Sequence, residues 1–203
     1  MKIVSNKQSR IFLMDNKKWD EVYNSENVAW GKFTSTFLKE VIHMFPQGCK
    51  VLDLGCGNGR NLQYLVNNGY NAIGYEFSDI AISQAVTKNI KHKDLVKEEW
   101  NIGKFDAVID FGFYHFYPTD KQKEYFHKLD SVLKQGGIYV NESARLVGSP
   151  FKGDNPLGYK PPQLQVSDFD IFDNYYKVLF KEGELPPHGD WKEYPCWQAV
   201  YKK

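Results

Sequence analysis

The glycine-spaced stretch Val51–Gly59, VLDLGCGNG, constrains this chain more than any other. Val51 and Leu52 run into an acid, Asp53, and glycines then alternate at positions 55, 57 and 59, the pattern of a buried strand giving way to a tight turn. Glycine serves where the backbone takes positive φ or approaches another molecule with no Cβ between, and a turn that opens a helix points free N–H groups outward. Gly55, Cys56, Gly57, Asn58 and Gly59 are therefore expected to cradle an elongated, nucleotide-like ligand. A G-x-G-x-x-G dinucleotide fingerprint would need its third glycine at position 60, where Arg60 stands, so close pyrophosphate packing is unsupported. For the glycines alone, a strand-to-helix turn with no ligand remains the plain alternative.

Asp53-Leu54-Gly55-Cys56-Gly57-Asn58-Gly59 resembles the first motif of the class I S-adenosylmethionine-dependent methyltransferases, an acid at a strand end followed by G-x-G-x-G. The resemblance spans about positions 45 to 140. It implies S-adenosyl-L-methionine as cofactor, with the turn backing its methionine part. It also implies an acid ending the second strand that accepts hydrogen bonds from both ribose hydroxyls. Asn71-Ala72-Ile73-Gly74-Tyr75 is a short strand pattern ending in Glu76, at roughly the 20-residue spacing a ribose-binding acid needs. Glu76 is the expected clamp, with Phe77 beside it and Ser78 or Asp79 capping the next helix; an ordinary solvated glutamate is the other reading. Lys91-His92-Lys93-Asp94-Leu95 matches the adenine position, with Asp94 toward the amino group and Leu95 toward the base, against a surface-turn acid. Phe105-Asp106-Ala107-Val108-Ile109-Asp110 resembles the fourth-strand motif and puts Asp110 at the cofactor.

Length and composition fit one compact domain: 203 residues, 42% hydrophobic, with no Ser/Gly-rich linker. Within it the reading distinguishes an N-terminal helical lid (1–46), a cofactor-binding core (47–141), and a substrate-side loop with C-terminal hairpin (142–203). The net charge of +1 gives no field directed at nucleic acid or an acidic membrane. Three isolated cysteines argue against a disulfide framework and for a reducing cytoplasm. No apolar run approaches the ~20 residues of a membrane helix, and the start lacks an apolar region of signal-peptide length.

Strand and helix patterns alternate: a helical stretch around 19–45, helices at 61–67, 80–89 and 119–133, and strands near 50–54, 71–76, 94, 105–110 and 138–140. In the second of these helices Ala81, Ile82, Ala85 and Val86 form one apolar stripe, and Gly136-Gly137 make the turn into the fifth strand. The expected architecture is α/β, a single-domain, Rossmann-like, doubly wound sheet under a helical N-terminal cap. The resemblance adds a C-terminal hairpin, giving seven strands with the last antiparallel; 175–180 and 196–201 suit it.

The substrate faces the loops after strands one, four and five. Trp19, Tyr23 and Trp30-Gly31 lie in a segment similar to the N-terminal caps of small-molecule methyltransferases of the thiopurine and tellurite-resistance type. Trp30 is placed near the sulfonium and Tyr23 near the substrate, with helix-to-sheet packing as the alternative. After strand four come Tyr114 and His115, candidate catalytic residues; His115 suits a general base for a hydroxyl acceptor or else a packed core histidine. Arg145 is assigned to an anionic substrate or a surface role, and the Gly/Pro-rich 142–163 segment to a lid or a connection. The scattered histidines lack metal-ligand spacing, so no metal is expected. Asp110-Phe111-Gly112-Phe113 departs from the Asn/Asp-Pro-Pro-aromatic sequence of base-amine methylation. The reading favours methyl transfer to a small-molecule acceptor by in-line displacement. The alternatives are a protein or glycan acceptor, or a non-catalytic sensor or assembly factor that binds the cofactor.

Overall fold

A computed structural model of the chain describes residues 16–24, 33–145, 164–185 and 194–203; Trp30 and most of the 142–163 segment lie outside the described residues. Seven strands form one sheet: β1 (Lys50–Leu54), β2 (Asn71–Glu76), β3 (Ile90–His92), β4 (Phe105–Phe111), β5 (Leu133–Ala144), β6 (Tyr176–Leu185) and β7 (Tyr194–Lys202). Their order is β3-β2-β1-β4-β5-β7-β6, and β7 runs antiparallel to both of its neighbours. The central strands carry unbroken apolar runs because both faces are covered. Leu52, Val108 and Tyr139 pack on one face against Tyr125, Leu129 and Val132 of α5 (Gln122–Val132). On the other, Val51, Ala107 and Val140 meet Phe37, Leu38 and Val41 of α2 (Thr36–Val41) and Leu62 and Leu65 of α3 (Arg60–Asn67).

Strand order also locates the crevice. The chain steps outward from β1 to β2 and β3, then returns to place β4 on the other flank of β1. Connections therefore diverge above the carboxyl ends of β1 and β4, where open α/β sheets hold their ligands.

Several boundaries differ from those expected. The N-terminal helical stretch is α1 (Asn16–Asn24) and then α2, which Ser35 caps by accepting from the Phe37 and Leu38 N–H groups. The helix expected over 80–89 is only α4 (Asp79–Ser83), because the chain turns away and the Val86 N–H donates to the Asn58 carbonyl at 3.0 Å. Val86 is consequently 54% exposed instead of buried on a helical stripe. The helix expected from 119 opens as a 3-10 turn before α5. The Gly136-Gly137 pair lies inside β5, where the Gly136 N–H donates to the Lys203 carbonyl and the Gly137 carbonyl accepts from the Lys203 N–H. Among the described residues, no helix is long and apolar enough to cross a membrane.

Candidate active site

Gly55, Gly57 and Gly59 take φ of +61°, +57° and +83°, a left-handed sequence that side-chain-bearing residues adopt only with strain. The Cys56 N–H donates to the Tyr75 carbonyl of β2, so the turn is clipped to the neighbouring strand. At its centre the Gly57 N–H donates to Glu76 Oε2 at 2.9 Å, while Glu76 Oε1 accepts from the Phe77 and Ser78 N–H groups at 2.8 and 2.9 Å. Burial raises the Glu76 pKa and these three donors oppose the rise. The acid at the end of β2 therefore faces the glycine turn itself and holds it in shape.

Asp53, at the end of β1, is 2% exposed and its Oδ2 is buried without a hydrogen-bond partner. Burial pushes its pKa well above the usual carboxylate range; Arg60 opposes this, while Asp110 and Glu76 add to it. An orphaned carboxylate oxygen beside a cradle with no Cβ atoms suits an ammonium-bearing ligand with a backbone-like stem, which is the methionine part of S-adenosylmethionine.

Arg60 opens α3 directly after the turn, and in the sequence it marks only the departure from the dinucleotide pattern. Burial lowers its pKa, and Glu142, Tyr23 and Asp53 act against that. Its Nη1 donates to the Phe33 carbonyl at 2.7 Å. Glu142, at the end of β5, is 4% exposed and accepts from Ser35 Oγ (3.1 Å) and Gln198 Nε2 (2.8 Å). Neither Arg60 nor Glu142 carries a local motif; elements far apart in sequence bring them together.

Helix α1 lies across the crevice. Asp20 Oδ1 accepts from Ser78 Oγ (2.6 Å) and the Ile80 N–H (3.2 Å), and Gln84 Nε2 donates to the Tyr23 carbonyl. Tyr23 meets the glycine turn from above: a Cβ built on Gly57 would stand 2.5 Å from its Oη. On the β4 side, a Cβ on Gly55 would lie 3.0 Å from the Phe113 ring, and Trp19 stacks edge-on to Phe116 at 4.9 Å.

Other expected site residues are placed differently. Asp110 does not reach out toward a ligand: Oδ1 accepts from the Phe113 and Tyr114 N–H groups and Oδ2 from Tyr125 Oη, so it anchors the loop after β4. Burial lifts its pKa to about 6. Tyr114 is 0% exposed, its hydroxyl donates to the Asp168 carbonyl, and its ring packs on Tyr125, Phe169 and Phe172, which leaves it no access to a substrate. Arg145 pairs with Glu182 at 2.8 Å over the Trp197 ring, so its charge is already partnered. Asp94 accepts from the Val96 and Lys97 N–H groups in the turn after β3, and Leu95 is buried beside it. His115 is 7% exposed; its Nδ1 accepts from the Ala144 N–H at 3.2 Å, and burial pushes its pKa down to about 3. That value does not suit a base working near neutral pH.

Residues 51–137 match a family model described as a methyltransferase domain. An uncharacterized methyltransferase of Schizosaccharomyces pombe is 33% identical over 90 residues, 40% of this chain and 62% of the relative. The EEF1A lysine methyltransferase 2 of Mus musculus is 26% identical (60% of this chain, 62% of the relative). The 2-heptyl-1-hydroxyquinolin-4(1H)-one methyltransferase of Mycobacteroides abscessus is 23% identical (68% and 65%). This chain thus spans less than two thirds of the length of these relatives. A solved structure concerned with conversion of a disulfide bond into a thioacetal group during echinomycin biosynthesis superposes with a TM-score of 0.73 at 20% identity, covering 93% of this chain and 91% of that one. TehB from Haemophilus influenzae gives 0.63 at 18% (82% and 61%). The Burkholderia thailandensis 1,6-didemethyltoxoflavin-N1-methyltransferase, solved with 1,6-didemethyltoxoflavin and S-adenosylhomocysteine, gives 0.66 at 14% (93% and 87%). The matched segment, residues 51–137, holds the glycine turn, and the chain as a whole shares the fold of the solved methyltransferases on which it superposes.

Proposed function

We propose that this protein transfers the methyl group of S-adenosylmethionine to a small-molecule acceptor. The observation that carries the reading is the left-handed glycine turn at the switch point, with the orphaned Asp53 Oδ2 beside it. In this reading Gly55, Cys56, Gly57, Asn58 and Gly59 back the methionine stem and Asp53 accepts from its ammonium. Arg60 supplies positive charge near its carboxylate. Glu76, held by the Gly57, Phe77 and Ser78 N–H groups, accepts from the ribose hydroxyls, with Phe77, Asp94 and Leu95 around the adenine and Trp30 from the lid. The cofactor supplies an electrophilic methyl carbon on sulfur, which a nucleophile displaces in line; the protein contributes alignment and exclusion of water. Asp20 holds α1 down on α4, and Tyr23 and Trp19 close the crevice from above.

A small acceptor is favoured because an aromatic wall of Trp19, Tyr23, Phe113 and Phe116 surrounds the mouth, a lining that suits a compact, polarizable molecule. The quinolone and didemethyltoxoflavin methyltransferases among its relatives and fold neighbours act on such molecules by name. A protein acceptor is the second reading, supported by the EEF1A lysine methyltransferase. The division into lid, core and substrate-side regions belongs to this proposal, as does a cytoplasmic setting, which the free cysteines suit. The test is cofactor consumption over thiol, hydroxyl, amine, carboxyl and chalcogen acceptors. Turnover with small acceptors supports the reading, turnover only with protein fractions supports the second, and cofactor binding with no turnover would leave a sensor.

A further inference from the structure

His115 follows β4 and packs with the aromatic side chains near this site, and its two ring nitrogens differ. Its Nδ1 accepts a hydrogen bond from the Ala144 backbone N–H at 3.2 Å. A backbone amide can only donate, so Nδ1 carries a lone pair and the proton of the neutral ring sits on Nε2. Among the described residues Nε2 has no partner, and it is not among the fully buried unpartnered atoms. It is a donor with no partner among the described residues.

The position of the ring follows from its neighbours. It packs on Phe116 (centroids 4.3 Å apart), Phe116 meets Trp19, and Trp19 lies 6.0 Å from Tyr23, whose hydroxyl stands over Gly57. A Cβ on Gly112 would lie 3.4 Å from His115 Cε1, so the glycine after β4 leaves that edge of the ring room. The imidazole therefore belongs to the run of aromatic side chains that begins at the Tyr23 hydroxyl over the glycine turn.

We infer that His115 is a fixed hydrogen-bond donor, its Nε2–H directed at the acceptor, and that it selects acceptors that bind as anions. This rests on the proposed methyl transfer and names the acceptor's charge state. The acceptor loses its proton to bulk water before it binds. Its lone pair then forms the bond to the methyl carbon as the carbon–sulfur bond breaks, the bonding pair remains on sulfur, and no proton passes to the protein. Burial, with no charged side chain countering it, keeps the imidazole neutral at working pH, as a donor of this kind requires.

Two measurements test this. Imidazole nitrogen NMR on the wild-type protein is expected to show His115 as the Nε2–H tautomer, without titration between about pH 5 and 8. Its Nε2 signal is expected to shift when 4-nitrothiophenolate is added in the presence of S-adenosylhomocysteine. In turnover, 4-nitrothiophenol is expected to react and benzyl alcohol not. His115→Phe should lose about tenfold or more in kcat/KM for the acceptor, the effect of one charge-assisted donor, at unchanged cofactor affinity. His115→Gln, which keeps a donor, should recover most of that loss. Any of the following would overturn the inference: an Nδ1–H tautomer, titration in the ordinary histidine range, benzyl alcohol turnover that rises through that range, equal loss in both variants or in neither, or no ionised acceptor bound by a protein that binds S-adenosylhomocysteine. Failure of the wild-type protein to bind S-adenosylhomocysteine would instead remove the proposed function.

Discussion

Replacing Glu76 by Gln separates holding the glycine turn from accepting a ribose. The carboxylate accepts three backbone N–H bonds, from Gly57, Phe77 and Ser78, at 2.8–2.9 Å. Glutamine keeps one carbonyl oxygen, which can still serve the adjacent Phe77 and Ser78 donors, but its amide NH2 then faces the Gly57 N–H, donor against donor. A buried donor left without its acceptor costs about 1–3 kcal/mol. Because Gly57 sits at the centre of the turn, the loss is expected in both stability and cofactor binding. The expected result is a fall of about that size in unfolding free energy by urea titration. By calorimetry, S-adenosylhomocysteine should bind about 5- to 150-fold more weakly. Glu76→Ala removes all the acceptors and is expected to be worse on both measures. Unchanged stability with weakened binding would show that Glu76 serves only the ribose and that its bond to Gly57 contributes nothing. Unchanged binding would remove Glu76 from the site altogether.

Gly57→Ala would place a methyl 2.5 Å from Tyr23 Oη on a backbone at φ +57°, so cofactor affinity is expected to fall at least tenfold by calorimetry while the strand core stays folded. Wild-type affinity in that variant would sink the cradle. The raised pKa of Asp53 means that an ammonium bound against it draws a proton off, so affinity should rise with pH through the acid range and the binding enthalpy should depend on the buffer. Asp53→Asn should lose both behaviours, and a buffer-independent wild-type enthalpy would refute the pairing. Asp110, at about 6 when folded against an ordinary 3.8, holds a proton in the native state that the unfolded chain has released. Its contribution to stability is therefore greatest below about pH 4 and declines by roughly 3 kcal/mol as the pH rises to about 6. Urea midpoints at pH 5 and 8 should show a steeper decline for wild type than for Asp110→Asn, and parallel declines would count against the buried, ionisable carboxyl.

What could be read along the chain is what the backbone requires locally. The positive φ values at 55, 57 and 59, the buried runs of β1 and β4 and the Ser78 cap on α4 follow from residue type and spacing, while the antiparallel hairpin at the end is what the family resemblance implies. Partnership between side chains is a different matter, because it depends on which segments the sheet order brings together. The fourth-strand resemblance puts Asp110 at the cofactor, yet its carboxylate is taken by Phe113, Tyr114 and Tyr125, donors that α5 and the following loop carry in. Arg145 reads as a free cation until β6 brings Glu182 beside it. Tyr114 and His115 are adjacent and look interchangeable, but the 3-10 turn sends one ring into the aromatic core and leaves the other with its Nδ1 tied to β5 and its Nε2 unpartnered. Arg60 and Glu142 have no local signature because α2, α3, β5 and β7 must be assembled before their charges share a neighbourhood. Glycine geometry and strand burial are properties of a few consecutive residues, so the sequence alone determined the turn and the fold class. Hydrogen-bond saturation and charge pairing arise only when distant segments meet, so tertiary structure decided which of the candidate residues remain available for chemistry.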